Sequence, residues 1–151
     1  MDLKKKINDF IIIFLPLILA SVISIFIDFN NFSLLNKPPL SPPKFIFPIV
    51  WSILYLLMGI SYFIIKYDKK EKKIQFLYYI HLFFNLIWPI LFFNYKLYLI
   101  STLLILLLIS LLINLMYEYS KIKKSIFYLN IPYLIWLIYA FYLSLGICIL
   151  N

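Results

Sequence analysis

The chain has 151 residues, of which 65% are hydrophobic and only 13% charged, and its mean hydropathy is +0.99. A water-soluble domain is closer to half apolar and a quarter charged; a chain of this size cannot hide so much apolar surface from water, so its main solvent must be lipid. The formal charge of +8 rests on fourteen lysines that sit mostly between apolar runs, which is where membrane proteins place them and which argues against nucleic acid as a partner.

One cysteine, Cys148, lies in the last apolar run and cannot form an internal disulfide. A single histidine and six acidic residues make no dense metal-ligand set, so no metal and no required cofactor are expected. The absence of arginine and the abundance of Ile, Leu, Lys, Asn, Phe and Tyr suit an AT-rich genome, so the aromatic count alone is no functional signal. The three tryptophans are more informative, because that bias does not favour Trp.

A helix needs about 20 apolar residues to cross the hydrocarbon core, and five stretches qualify. The first runs from about Phe10 to Ile27, behind Lys4, Lys5 and Lys6. Its apolar run is longer than a signal-peptide core and has no A-x-A-like cleavage site, so it is expected to remain as a helix. Its Ala20-x-x-x-Ser24 pattern permits close helix approach, within the bundle or in a homodimer. The connection from Asp28 to Lys44 is the longest and holds Pro38, Pro39, Pro42 and Pro43, which disfavour helix. It also holds Phe29, Phe32, Leu34, Leu35 and Leu40. An apolar, proline-stiffened loop is expected to lie on the mouth of the bundle as a lid, with Lys37, Pro38, Pro42, Pro43 and Lys44 as its candidate contacts; a plain spacer is the alternative.

The second span runs from about Phe45 to Ile65, the third from Ile74 to Phe93, the fourth from Leu97 to Tyr117 and the fifth from Ile126 to Leu150. Pro16, Pro48, Pro89 and Pro132 interrupt or begin spans, and no internal repeat of the transporter kind is visible. The expected architecture is an all-α integral membrane protein, a single five-helix bundle over residues 1–151 with no room for a soluble domain. Five spans put eleven lysines on one side, at 4–6, 66–73 and 121–124, against Lys37, Lys44 and Lys96 on the other. The positive-inside rule then places the N-terminus in the cytoplasm and the C-terminus outside, in what is expected to be a bacterial cell membrane.

Three spans carry a polar or aromatic stripe with steps of three or four, which places each set on one helix face. These are Trp51, Tyr55, Met58 and Tyr62; His81, Asn85, Trp88 and Phe92; and Tyr133, Trp136, Ala140 and Ser144. Lipid-facing surfaces do not need Asn, His or Ser, so the stripes are expected to turn toward a common interior. An interior ligand pocket is one reading; interfacial belts or plain packing are the other. No nucleophile–base pair supports ordinary enzymology.

These residues carry a resemblance. Leu35-Asn36-Lys37-Pro38-Pro39-Leu40-Ser41-Pro42-Pro43, followed by Trp51-Ser52-Ile53-Leu54-Tyr55 and Met58-Gly59, resembles the signature of the TspO/MBR family of tryptophan-rich sensory proteins. Asn85-x-x-Trp88-Pro89-x-x-Phe92-Phe93 resembles that family's third helix, and Pro132-Tyr133-x-x-Trp136-x-x-x-Ala140 its fifth. The motifs are in order and span nearly the whole chain. There are departures: Asn31-Phe32 stands where Trp-Tyr is common, His81 where Gln is common, and Ser144 where Asn is common. No sterol-recognition pattern follows the fifth span, which argues against sterol binding.

The resemblance implies a pocket between helices that binds a flat tetrapyrrole, protoporphyrin IX or haem, in a sensory or regulatory role. Trp51, Tyr55, His81, Asn85, Trp88, Phe92, Tyr133, Trp136, Ala140 and Ser144 are the implied ligand-binding set. Indole faces suit stacking on a macrocycle, and Lys37 and Lys44 can pair with its propionates. His81 as an axial haem ligand is the lesser reading beside a hydrogen-bonding role. Transport of the tetrapyrrole, and light-dependent porphyrin breakdown through Trp51 and Trp136, are the alternatives the resemblance leaves open. A homodimer is also in keeping with it.

Overall fold

The structure, a computed structural model, describes residues 3–66 and 71–151; Lys69 and Lys70, counted above for orientation, lie outside them. The helices are α1 (Leu3–Ser24), α2 (Ile46–Ile65), α3 (Glu71–Pro89, continued by a π-turn Ile90–Asn94), α4 (Tyr98–Ser120), α5 (Lys124–Leu129) and α6 (Ile131–Leu150). A single 3₁₀ turn, Asn30–Ser33, sits in the long loop. Among the described residues there is no strand, and five helical segments are long and apolar enough to cross a membrane. The outer surface is apolar on every span: Ile18, Ile53, Phe83, Leu103 and Ile138 are all more than half or close to half exposed. In water such a surface would aggregate; in lipid it is at home. The chain is an integral membrane protein.

The centre of the bundle is α4. Its Ile105, Leu108, Leu112 and Leu115 repeat at steps of three and four and are buried against α3 and α6. The helix α1 is the least embedded: it packs on α2 and α3, and Pro16 is its one buried residue. Its approach to α2 depends on Gly59, where a methyl group would lie 1.9 Å from the Ile13 carbonyl oxygen.

Two boundaries depart from the apolar lengths. The α1 helix begins at Leu3 rather than near Phe10, because lysine is a good helix former and apolar length marks the membrane, not the end of the helix. The fifth span is two helices that meet at Asn130. Pro132 has no N–H to continue a helix from α5; the Asn130 backbone amide turns to the Phe127 carbonyl, and its side chain donates to the Ile126 carbonyl so left and to Ser61 Oγ, both at 2.8 Å.

Polar contacts gather at the two ends of the bundle. At the lysine-rich end Glu118 accepts from Lys73 at 2.6 Å and Lys121 at 3.1 Å, and Lys66 lies 3.8 Å from Asp9. At the opposite end Asn94 accepts from the Asp28 amide at 2.9 Å and donates to the Phe26 carbonyl at 2.8 Å, which fixes the end of the first span to the π-turn. The proline loop is strapped to α6 at the same end. Tyr142 donates to the Pro39 carbonyl at 2.7 Å, Tyr139 donates to the Leu40 carbonyl at 2.6 Å, and Pro38 is buried over Gly146, where a methyl would meet its ring at 2.5 Å. Leu40, at the loop tip, has a positive φ of 65°.

Candidate functional site

A cavity of about 340 Å³ lies between α1, α2 and α3 in the half of the bundle near the proline loop. That volume is at the lower end of the range, about 300–1,000 Å³, in which small-molecule sites fall. The α2 wall is Phe47, Trp51 and Tyr55; the α3 wall is Leu86, Trp88 and Phe93; the α1 wall is Leu17, Ala20, Ser21 and Ser24; and the chain after α1 adds Ile27, Phe29, Phe32 and Lys44. Small residues on α1 make the room. The hydroxyls of Ser21 and Ser24 donate to carbonyls of their own helix, Leu17 at 2.8 Å and Ser21 at 2.7 Å, so that wall offers little polarity. The exposed lining residues are Ser21 and Ser24 on α1, Pro48 and Ser52 on α2, and Phe29 and Lys44 in the loop, so the cavity opens between the two helices and at its loop end.

Tryptophan faces form the inner wall. Trp51 and Trp88 are stacked with centroids 6.1 Å apart, and Trp88 continues the stack onto Phe92 at 5.2 Å. The indole N–H of Trp88 donates to the Ser101 carbonyl at 3.1 Å, which fixes the ring in that stack. The π-turn after Pro89 re-aims the side chains that follow: Phe92 is buried, Phe93 lines the cavity, and Asn94 reaches the loop.

Behind Tyr55 lies a buried polar network. Tyr55 donates to Asn85 Oδ1 at 2.7 Å, the Asn85 amide donates to the Tyr133 hydroxyl, and Tyr133 lies 3.5 Å from His81 Nε2. Ser144 on α6 shares a 2.8 Å hydrogen bond with Thr102 on α4, and Thr102 donates to the Tyr98 carbonyl. Tyr55, Asn85, Tyr133, Thr102 and Ser144 thus find partners between helices in the lipid-embedded core.

The sequence-predicted set is therefore divided. Trp51, Tyr55, Trp88 and Lys44 line the main cavity. Asn85, Tyr133 and His81 form the network behind Tyr55 and do not line the cavity. Phe92, Ala140 and Ser144 line a gap of about 20 Å³ on the far side of the two tryptophans, room for about one water. Trp136 packs its ring against Phe47 at 6.1 Å and Tyr139 at 5.4 Å and lines neither space. Lys37 lies over the Phe32 ring at 4.8 Å; neither it nor Pro38, Pro42 or Pro43 lines a cavity. The α1 wall was not in the predicted set. Its one trace in the sequence is the Ala20-x-x-x-Ser24 pattern, whose two residues face the cavity.

Comparison with known proteins agrees with the motifs. A family model described as the TspO/MBR family matches residues 12–150. The chain is similar to the tryptophan-rich protein TspO of Chlorobaculum tepidum, 32% identical over 124 residues that cover 80% of this chain and 78% of the relative. It is similar to the protein of the same name from Archaeoglobus fulgidus, at 31% over 119 residues covering 77% and 76%. A third relative of that name, from Bacillus cereus, is 32% identical over 156 aligned positions that cover the whole of both chains.

Proposed function

The chain belongs to the TspO/MBR family, and from that premise we propose that it binds a tetrapyrrole such as protoporphyrin IX or haem in the cavity between α1, α2 and α3, in a sensory or regulatory role. One observation carries the reading: an apolar cavity of about 340 Å³ with the stacked indoles of Trp51 and Trp88 as one wall. A flat aromatic macrocycle gains stacking there that a flexible lipid tail does not. The sideways mouth between α1 and α2 suits a ligand that partitions into the bilayer. Lysine placement supports a cytoplasmic N-terminus, in a bacterial cell membrane.

Binding needs no more than this cavity. Light-dependent breakdown of the porphyrin is a second reading with one observation in its favour: Trp51 lines the cavity and stacks on Trp88, so a photoexcited ligand would have an indole beside it. Trp136 does not line the cavity, so in this reading Trp51 carries the chemistry.

Titration of the purified protein with protoporphyrin IX in detergent, followed by tryptophan fluorescence, tests the proposal. Saturable quenching at a one-to-one ratio is expected, weakened about tenfold in Trp51→Leu, in line with about 1.4 kcal/mol of aromatic stacking. Quenching that rises linearly without saturation would contradict it. Product analysis after illumination separates the second reading: breakdown retained in full by Trp51→Phe would remove it.

A further inference from the structure

Lys44 stands out among the cavity residues because it is the one charged side chain in the lining. It sits two residues before α2 begins, at the loop end of the cavity, and is exposed. Its ammonium has no ion pair or hydrogen bond among the described residues. Lys37, the other lysine of the loop, is held over the Phe32 ring and is absent from the lining. The acidic residue of this rim, Asp28, lies beside the lining residues Ile27 and Phe29, and its carboxylate accepts the Asn30 amide at 2.9 Å. The deeper walls are aromatic and aliphatic, and their one hydroxyl, that of Tyr55, is already given to Asn85; at the mouth Ser21 and Ser24 donate to their own helix.

We propose that Lys44 is a specificity-determining residue, which makes the cavity a site for flat apolar ligands that carry an anionic group, a carboxylate above all, on one edge. The inference rests on the tetrapyrrole reading and narrows it to the carboxylate-bearing members of that class. The geometry is amphipathic. The ring lies between α1 and α2 against Trp51, and the acid edge stays at the end of the bundle, where Lys44 meets it near the membrane–water boundary. A carboxylate deeper in the cavity would have no cation and would lose its hydration. A charge-assisted contact at the mouth keeps part of that hydration and adds an attraction that a neutral ester lacks. Because one lysine reaches the cavity, the acid edge that faces Lys44 gains, and a further acid group on the opposite edge adds nothing.

The test compares protoporphyrin IX with its dimethyl ester by tryptophan quenching on the full chain in detergent micelles. Wild type is expected to bind the free acid about tenfold more tightly than the ester, a preference that falls as salt is raised. Lys44→Met should lower affinity for the acid by the same factor and leave the ester unchanged, so the preference disappears. Lys44→Arg should keep the preference, which shows that charge rather than loop integrity is read. Lys96→Met, at the same end of the bundle but outside the lining, should behave as wild type. A preference that survives in Lys44→Met, or that vanishes in Lys37→Met instead, overturns the assignment to Lys44 while porphyrin binding itself stands. Saturable binding of neither compound by wild type overturns both the assignment and the reading beneath it.

Discussion

Tyr55, Asn85 and Tyr133 come from three different spans and meet through one asparagine side chain. Asn85 is 1% exposed, so water does not replace what its neighbours lose if it is removed. Asn85→Leu leaves the Tyr55 hydroxyl without its partner and the Tyr133 hydroxyl with only its 3.5 Å contact to His81 in the lipid-embedded core. The expected cost is about 1–3 kcal/mol of stability, read as a lower unfolding midpoint in detergent. Tyr55→Phe leaves one acceptor, Asn85 Oδ1, unpaired and keeps the Asn85–Tyr133 bond, so its loss should be smaller than that of Asn85→Leu. Equal losses would show that the network is not organised around Asn85. Tyr55 also links this network to the cavity wall, so ligand affinity should fall in Asn85→Leu as the Tyr55 ring loses its fixed position.

At the scale of elements, α1 is a wall of the cavity although it contributes a single buried residue. Its anchors include Asp9 to Lys66 at one end, the Gly59 crossing in the middle, and the Asn94 contacts just beyond its other end. Gly59→Val would drive a branched side chain into the Ile13 backbone, which cannot rotate away as a side chain could. The expected penalty is about 1–3 kcal/mol, together with a wider gap between α1 and α2, measurable by distance labels on the two helices. An unchanged distance would mean that Gly59 does not set the crossing.

The stripes on the second, third and fifth spans were legible because Asn, His and Ser in a lipid-embedded helix demand partners, and periodicity shows which face must supply them. The buried network of Asn85, Tyr133 and His81 is what that demand predicts. The α1 wall carries no such mark. Leu17 reads equally as lipid-facing, and Ala20 with Ser24 reads as a packing motif until the neighbouring helices are in place. An apolar loop lying on the bundle was expected, but the residues that hold it were equally hidden. Tyr139 and Tyr142 lie about a hundred residues from the carbonyls they bind, in a chain where thirteen tyrosines make any one of them unremarked. Pro132 did announce an interruption near the start of the fifth span, but not that Asn130 would satisfy the broken turn.

For the whole molecule, alternating helices place Lys66, Lys73, Lys121 and the start of α1 at one end, and Asn36, Asn94 and the C-terminal Asn151 at the other. With Cys148 replaced by Ser, single cysteines at Lys72 and at Lys96 should react with an impermeant thiol reagent from opposite faces of the membrane. The Lys96 position should label in intact cells and the Lys72 position only after lysis, if the lysine-rich end is cytoplasmic. The reverse pattern would invert the orientation, and labelling of both from outside would contradict the alternation itself. The central claim is that the space between α1, α2 and α3 is the ligand site, and its most direct test fills that space from the wall that polar residues do not mark. Porphyrin titration of Ala20→Phe against wild type, with helicity and melting checked in both, should show affinity reduced more than tenfold with the fold intact, because a phenyl ring from the α1 wall takes space that a macrocycle against Trp51 needs. Unaltered saturable binding in a folded Ala20→Phe protein would place the ligand elsewhere and contradict the account.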